Sequence, residues 1–157
     1  MDAAVADAGP SAEALAAIDA LMARGASFLG SRYAIMGGAM SWVSERNLVA
    51  ALSNAGAFGV LACGAMEPPR LDEEIAATQA LTDRPFGVNL ITMHPRLDQL
   101  VATCIARRVG HIVFAGGIPP GSAIKAAKEG GAKVVCFAPA LALAKKLIRS
   151  GADALVI

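Results

Sequence analysis

The chain has 157 residues, of which 55% are hydrophobic, 4% aromatic and 17% charged, with a formal net charge of +1. This balance excludes a disordered chain and supplies no overall field for a phosphate backbone or an acidic membrane surface, so neither nucleic acid nor membrane is an expected partner. Cys63, Cys104 and Cys136 are odd in number and lie in neither CxxC nor zinc spacing. They read as reduced, partly buried thiols of a cytoplasmic protein, with no metal site.

The first residues, with Asp2, Asp7 and Glu13 and no basic cluster ahead of an apolar run, do not resemble a secretory signal. Residues 1–10 read as a disordered tail and residues 11–157 as one domain. An Ala-rich helix is predicted from Ser11 to Arg24, with Leu15, Ile18, Leu21 and Met22 on one face at three- and four-residue steps. That stripe is expected to lie against the body of the fold. The most apolar stretch, Val134 to Ala144, is interrupted by Pro139 and followed by Lys145-Lys146. It falls short of the roughly 20 residues a spanning helix needs.

From Tyr33 onward strand-like and helix-like segments alternate. Strands are predicted at Tyr33–Met36, Gly59–Cys63, Phe86–Leu90, His111–Phe114, Lys133–Phe137 and Ala154–Ile157. Between them, helical periodicity covers Ser44–Ala55, Leu71–Leu81, Pro95–Arg107, Ser122–Glu129 and Ala140–Arg149. Ser44 is read as an N-cap, Pro69 and Pro95 as first-turn prolines, and Gly56, Gly110, Gly130 and Gly151 as left-handed helix stops. Strand starts about 20–28 residues apart suit parallel crossovers, which must carry the chain back through a helix. Six strands and five crossovers fall short of a full (β/α)8 barrel, which takes about 250 residues. The repeat alone leaves an open doubly wound sheet as an alternative.

In either architecture ligands bind at the carboxyl ends of the strands. Those ends read Gly37-Gly38-Ala39-Met40, Gly64-Ala65-Met66, Asn89-Leu90-Ile91-Thr92, Ala115-Gly116-Gly117-Ile118 and Ala138-Pro139-Ala140. Small residues there leave backbone N–H and C=O groups open to a large flat ligand, or else merely turn the chain into the next helix. Neither a P-loop nor a GxGxxG fingerprint is present.

Three segments, Ile35-Met36-Gly37-Gly38-Ala39-Met40, Ser53-Asn54-Ala55-Gly56-Ala57-Phe58-Gly59-Val60 and Pro85-Phe86-Gly87-Val88-Asn89-Leu90, closely resemble nitronate monooxygenases, also known as 2-nitropropane dioxygenases. Phe137 to Lys146 together with Gly151-Ala152-Asp153-Ala154-Leu155-Val156 is closer to the FMN-dependent enoyl-ACP reductases, a sister group. The resemblance runs from about Arg24 to Ile157. It implies an incomplete TIM-type (β/α)8 barrel with FMN at the strand ends. By position, Gly37, Gly38, Ala39 and Met40 would face the isoalloxazine through the backbone, the Asn89 amide would hydrogen-bond it, and Ala115 and Gly116 would line the same pocket.

The resemblance also implies that in relatives the position of Ile157 is succeeded by a Glu and a Gly-Gly-His segment, whose His acts as catalytic base or orients substrate. Phosphate-holding loops come later, after strands seven and eight. No catalytic residue is therefore assigned, and this polypeptide alone is expected to be silent and to hold FMN weakly. Ala115-Gly116-Gly117-Ile118 resembles such a phosphate loop but comes after the fourth strand, and Ala34 stands where relatives often carry Pro. The function implied is oxidation of a small-molecule nitronate to a carbonyl compound and nitrite. The alternatives are reduction of an enoyl thioester, or a non-catalytic barrel fragment that self-associates through exposed strand edges. His111 opens a strand and is expected at the amino end, in a stabilising role. His94 lies on the ligand side, either touching substrate or starting a helix. Trp42 either covers the pocket or packs in the core. Cys136 is expected to be inert and Lys145 and Lys146 solvated.

Overall fold

A computed structural model describes residues 9–157, so most of the predicted tail lies outside the described residues. The elements in order are α1 (Ala12–Leu29), β1 (Met36–Gly37), α2 (Arg46–Asn54), β2 (Phe58–Ala62), α3 (Pro68–Leu81), β3 (Phe86–Ile91), α4 (Leu97–Ala106), β4 (His111–Ala115), α5 (Gly121–Glu129), β5 (Lys133–Phe137), α6 (Leu141–Arg149) and β6 (Ala154–Val156). All six strands form one parallel sheet in the order β1-β2-β3-β4-β5-β6. That order resolves the ambiguity left by the repeat. A doubly wound sheet reverses direction at a switch point, whereas here each strand is added to the same side as the last, which curls the sheet into a half-barrel.

Side-chain alternation along each strand separates two cores. Outward positions such as Leu61, Val88, Leu90, Ile112, Phe114, Val134 and Cys136 pack with Val49, Leu71, Ile75, Leu100, Ile124 and Leu147 of the helices. Inward positions Phe58, Val60, Val113 and Val135 form a second, smaller core. The end of α1 closes that inner core from below through Phe28 and Leu29.

Several local readings are corrected. The leading helix runs through Arg24 to Leu29 and stops at Gly30 (φ 72), whose N–H reaches Ala26 O. Its expected packing stripe does not lie against the fold: Leu15, Ile18 and Leu21 are exposed, Leu21 to 85%. Only the last turn docks, because that is where the helix meets the sheet. Ser44 does not cap α2. The Glu45 carboxylate does, accepting from Asn47 N and Leu48 N at 3.1 Å each, which frees the buried Ser44 for another bond. Gly56 and Gly151 hold left-handed stops (φ 90 and 103), but after α5 that role falls to Gly131, and after α4 to Arg108 (φ 55). The first strand is shorter than predicted, beginning at Met36 rather than Tyr33. Among the described residues no helix is long and apolar enough to cross a membrane.

Candidate functional site

At the carboxyl ends of the strands, the loop from Gly38 to Glu45 forms one wall of a cavity of about 180 Å³. Ser44 fixes this loop: its Oγ accepts from Met40 N and donates to Gly38 O, both at 3.0 Å. Ala62 N donates to Ser44 O at 2.9 Å, tying the loop to β2. Opposite stands Asn89, which faces inward because it pairs in register with Ala62 and Val113 on the inner side of the sheet. Its Nδ2 donates to Val113 O at 3.2 Å, which sets the plane of the amide. Among the described residues Oδ1 takes no hydrogen bond and remains open to accept one.

The structure brings Gly38, Ala39, Asn89 and Ala115 together around this cavity, with Ala62 and Gly64 completing a small-residue floor. Gly37, Met40 and Gly116 do not line it. A Cβ on Gly37 would run into the end of Leu52, so Gly37 is turned outward and lets α2 close on the sheet. The backbone N–H of Met40 is already engaged by Ser44, and its side chain is exposed. Ile91 and Phe137, not singled out from the sequence, are walls. Counting alternate residues from Asn89 and from Val135 would have found both. No lining residue is ionisable, so the cavity can hold a neutral flat group by shape and one amide but has nothing of its own to move a proton.

A larger groove of about 840 Å³ adjoins this cavity and shares Ser41, Ala62, Gly64 and Ile91 with it. Its charged side chains are all engaged. Glu74, only 3% exposed, takes hydrogen bonds from both Arg46 and Arg70, while Glu67 pairs with Arg96 at 2.8 Å. His94 also lines the groove, and its Nδ1 accepts from Arg96 N at 3.1 Å. That bond is the helix-starting role. Trp42 is not a core residue: it is 96% exposed at the tip of the loop, with φ 67.

At the opposite end of the strands, His111 is buried with Nε2 2.9 Å from Phe28 O and its ring edge-on to Phe28 and Phe58. Lys133 donates to the same carbonyl. Two side chains thus meet one carbonyl of the last turn of α1, a stabilising contact as expected of the amino end of a barrel. Burial raises all three thiols, Cys63 and Cys136 to about 11, so none is a ready nucleophile.

A family model described as nitronate monooxygenase matches residues 23–100. The chain is 33% identical over 133 residues to a 5-hydroxy-7a-methyl-1-oxo-octahydro-1H-indene-4-carboxyl-CoA dehydrogenase of Rhodococcus jostii, covering 82% of this chain and 36% of that protein. It is 36% identical over 77 residues to a probable nitronate monooxygenase of Staphylococcus saprophyticus, covering 49% of this chain and 22% of that protein. Among solved structures, FabK from Thermotoga maritima superposes with a TM-score of 0.81 at 38% identity, over 84% of this chain and 42% of that one. A nitroalkane oxidase from Streptomyces ansochromogenes gives 0.72 at 25%, over 77% and 44%. The chain thus spans about 36% of the length of the first curated relatives it matches. Matched motifs, sequential strand order and superposition agree: the chain belongs to the nitronate monooxygenase family, of whose barrel it covers the N-terminal part.

Proposed function

We propose that this chain forms the flavin seat of an FMN-dependent oxidoreductase that acts on nitronates. The observation that carries the reading is the cavity at the strand tips, where small residues surround a single pre-oriented amide. The fit to an isoalloxazine is good on two counts. The floor of Gly38, Ala39, Ala62, Gly64 and Ala115 is built of small residues and free of charge, and Asn89 Oδ1 is an unengaged acceptor for a ring N–H. Gly38, Ala39, Asn89 and Ala115 would hold the ring; Gly37, Met40 and Gly116 would support that wall from behind or beside it. When bound, FMN supplies the electron-accepting chemistry that the side chains lack. The protein's share is to orient the ring, through Ser44 and Asn89, and to keep water from the face against the strand tips.

FMN titration of this chain followed by flavin fluorescence tests the seat, and nitrite release from a nitronate, measured on a protein that joins this chain to the remainder of a family barrel, tests the substrate. Asn89→Leu keeps the volume and removes the acceptor; one lost hydrogen bond of roughly 1–1.5 kcal/mol predicts about tenfold weaker FMN binding. Unchanged affinity in that variant would refute the assignment.

A second reading, reduction or oxidation at an acyl thioester, is supported by identity at equal coverage: FabK (38%) and the CoA dehydrogenase (33%) match 84% and 82% of this chain, and a nitronate monooxygenase that matches 82% of it does so at 26%. The unpaired outer edges of β1 and β6 support self-association, which light scattering checks; a monomer would count against it. Buried free thiols support a reducing, cytoplasmic setting.

A further inference from the structure

We propose that Trp42 is a lid residue that selects substrates carrying an extended apolar body, held in the groove beside the strand-tip cavity. This rests on the reading of that cavity as the flavin seat.

Size comes first. The strand-tip cavity, at about 180 Å³, lies below the roughly 300–1,000 Å³ of drug-sized ligand sites, whereas the groove, at about 840 Å³, lies inside that range. A two-carbon nitronate would leave most of the groove to water. Because the two spaces share Ser41, Ala62, Gly64 and Ile91, a substrate reacting over the first extends naturally into the second.

Charge comes next. Glu45 caps α2, Glu67 pairs with Arg96, and Arg70 pairs with Glu73 and Glu74. His94 is engaged with Arg96 N. Among the described residues, the carboxylates and the guanidinium lining the groove are all paired or capping, and His94 keeps only its Nε2 free. What the groove offers is apolar surface, including Met66, Ile91 and Met93, the last of them exposed. Its complement is a neutral chain or ring system, with the reacting group at the cavity end.

Trp42 supplies the cover. It is the chain's one tryptophan, it lines the groove, and it is fully presented to solvent. Its φ of 67 is a conformation that bulky residues rarely adopt and that persists where surrounding structure imposes it. Val43 N and Ser44 N both donate to Met40 O across Trp42, and Ser44 Oγ ties Met40 N and Gly38 O, so the loop is held on both sides of the strained residue. An unpacked indole on a strained tip, beside a groove with apolar surface at Met66, Ile91 and Met93, gains contact area by folding over an apolar occupant.

Because no other tryptophan is present, indole emission reads this motion directly. With the FMN-loaded chain, addition of 1-nitrooctane nitronate below its micellar concentration should shift the emission to the blue and protect it from iodide quenching. Nitroethane nitronate should do neither. Calorimetric titration should show the octyl compound bound at least tenfold more tightly, with Trp42→Ala abolishing most of that preference; Trp42→Phe should restore it. Octenoyl-CoA is the parallel arm: a blue shift there and not with the nitro compound assigns the apolar body to a thioester substrate. Equal affinity for long and short ligands, an indole unmoved by either long ligand, or a preference retained in Trp42→Ala would overturn the lid. FMN binding is scored separately on the same samples by flavin fluorescence. Loss of that signal alone sinks the flavin seat, and loss of the indole response alone sinks the lid.

Discussion

The contact that places the site is the packing of α2 on the sheet, and two glycines allow a quantitative test of it. A Cβ built on Gly59 would stand 2.5 Å from Val49 O and 2.9 Å from Val49 Cα, both backbone atoms of α2. A Cβ built on Gly37 meets instead the tip of the Leu52 side chain. The same substitution, Gly→Ala, therefore has two different costs. At Gly59 the helix itself must move, which belongs at the upper end of the roughly 1–3 kcal/mol typical of overpacking. Neither glycine has a positive φ, so alanine also restricts the unfolded chain and returns about 0.4–1 kcal/mol. The net expectation for Gly59→Ala is a loss of about 2 kcal/mol. At Gly37 a rotamer adjustment of Leu52 costs on the order of 0.5–1.5 kcal/mol, which the same chain-entropy gain nearly cancels. With a urea m-value of about 1–3 kcal/mol/M, Gly59→Ala should lower the midpoint by roughly 1 M, while Gly37→Ala should barely move it. Far-UV circular dichroism is the right probe, since Trp42 is solvent-exposed before unfolding begins. Equal losses in the two variants would refute the claim that backbone contact at Val49 sets the helix position.

Two further substitutions probe the buried polar groups. Glu74→Gln removes the α3 carboxylate that binds Arg46 of α2 and Arg70 of its own helix; orphaning a buried charge costs about 3–5 kcal/mol, but these arginines are 33% and 54% exposed and recover water, so about 2 kcal/mol is expected by urea denaturation. His111 is held below its ordinary pKa of 6.5, first by burial and then by Lys133, with the Phe28 carbonyl and Asp153 opposing. The unfolded chain therefore binds the proton more readily, and the neutral imidazole's contribution is full above pH 6.5 and is lost as pH falls through the lower folded value. Thermal midpoints of the wild type should drop on acidification from about pH 7 to about pH 5, whereas His111→Gln should lose less over the same window; parallel profiles would exclude His111 as the source.

Much of the architecture was legible because parallel strands buried on both faces read as continuous apolar runs, and five of the six were located to within one or two residues. The first was not: Tyr33 and Ile35 look strand-like and do bond to Gly56 and Phe58 through Tyr33 N and Ile35 O, but registered pairing with β2 begins only at Met36. The leading helix misled for a related reason. Periodicity reports which face is apolar, not whether anything stands opposite it, and among the described residues only Phe28 and Leu29 of that helix find the inner core. Caps were misassigned where two candidates were adjacent. Ser44 and Glu45 both offer an oxygen, and a tertiary demand, the Met40–Gly38 staple, decides between them. The choice of barrel over open sheet lies in strand order, a long-range property that local spacing does not encode.

The same two-sidedness explains why part of the candidate site was legible and part was not. Resemblance marks a string such as Gly37-Gly38-Ala39-Met40 as one unit, but a strand sends successive residues to opposite faces. Within β1, Met36 therefore faces the cavity and Gly37 the outer core, where it makes room for Leu52, while Gly38 and Ala39, past the strand end, both line the cavity. Gly59 does for β2 what Gly37 does for β1, and together they let α2 sit close enough for Ser44, one residue before its cap, to reach Gly38 and Met40. The loop that walls the cavity is thus positioned from behind the sheet. A residue outside the cavity lining, Gly59, sets the geometry of the site as firmly as Asn89, which faces it.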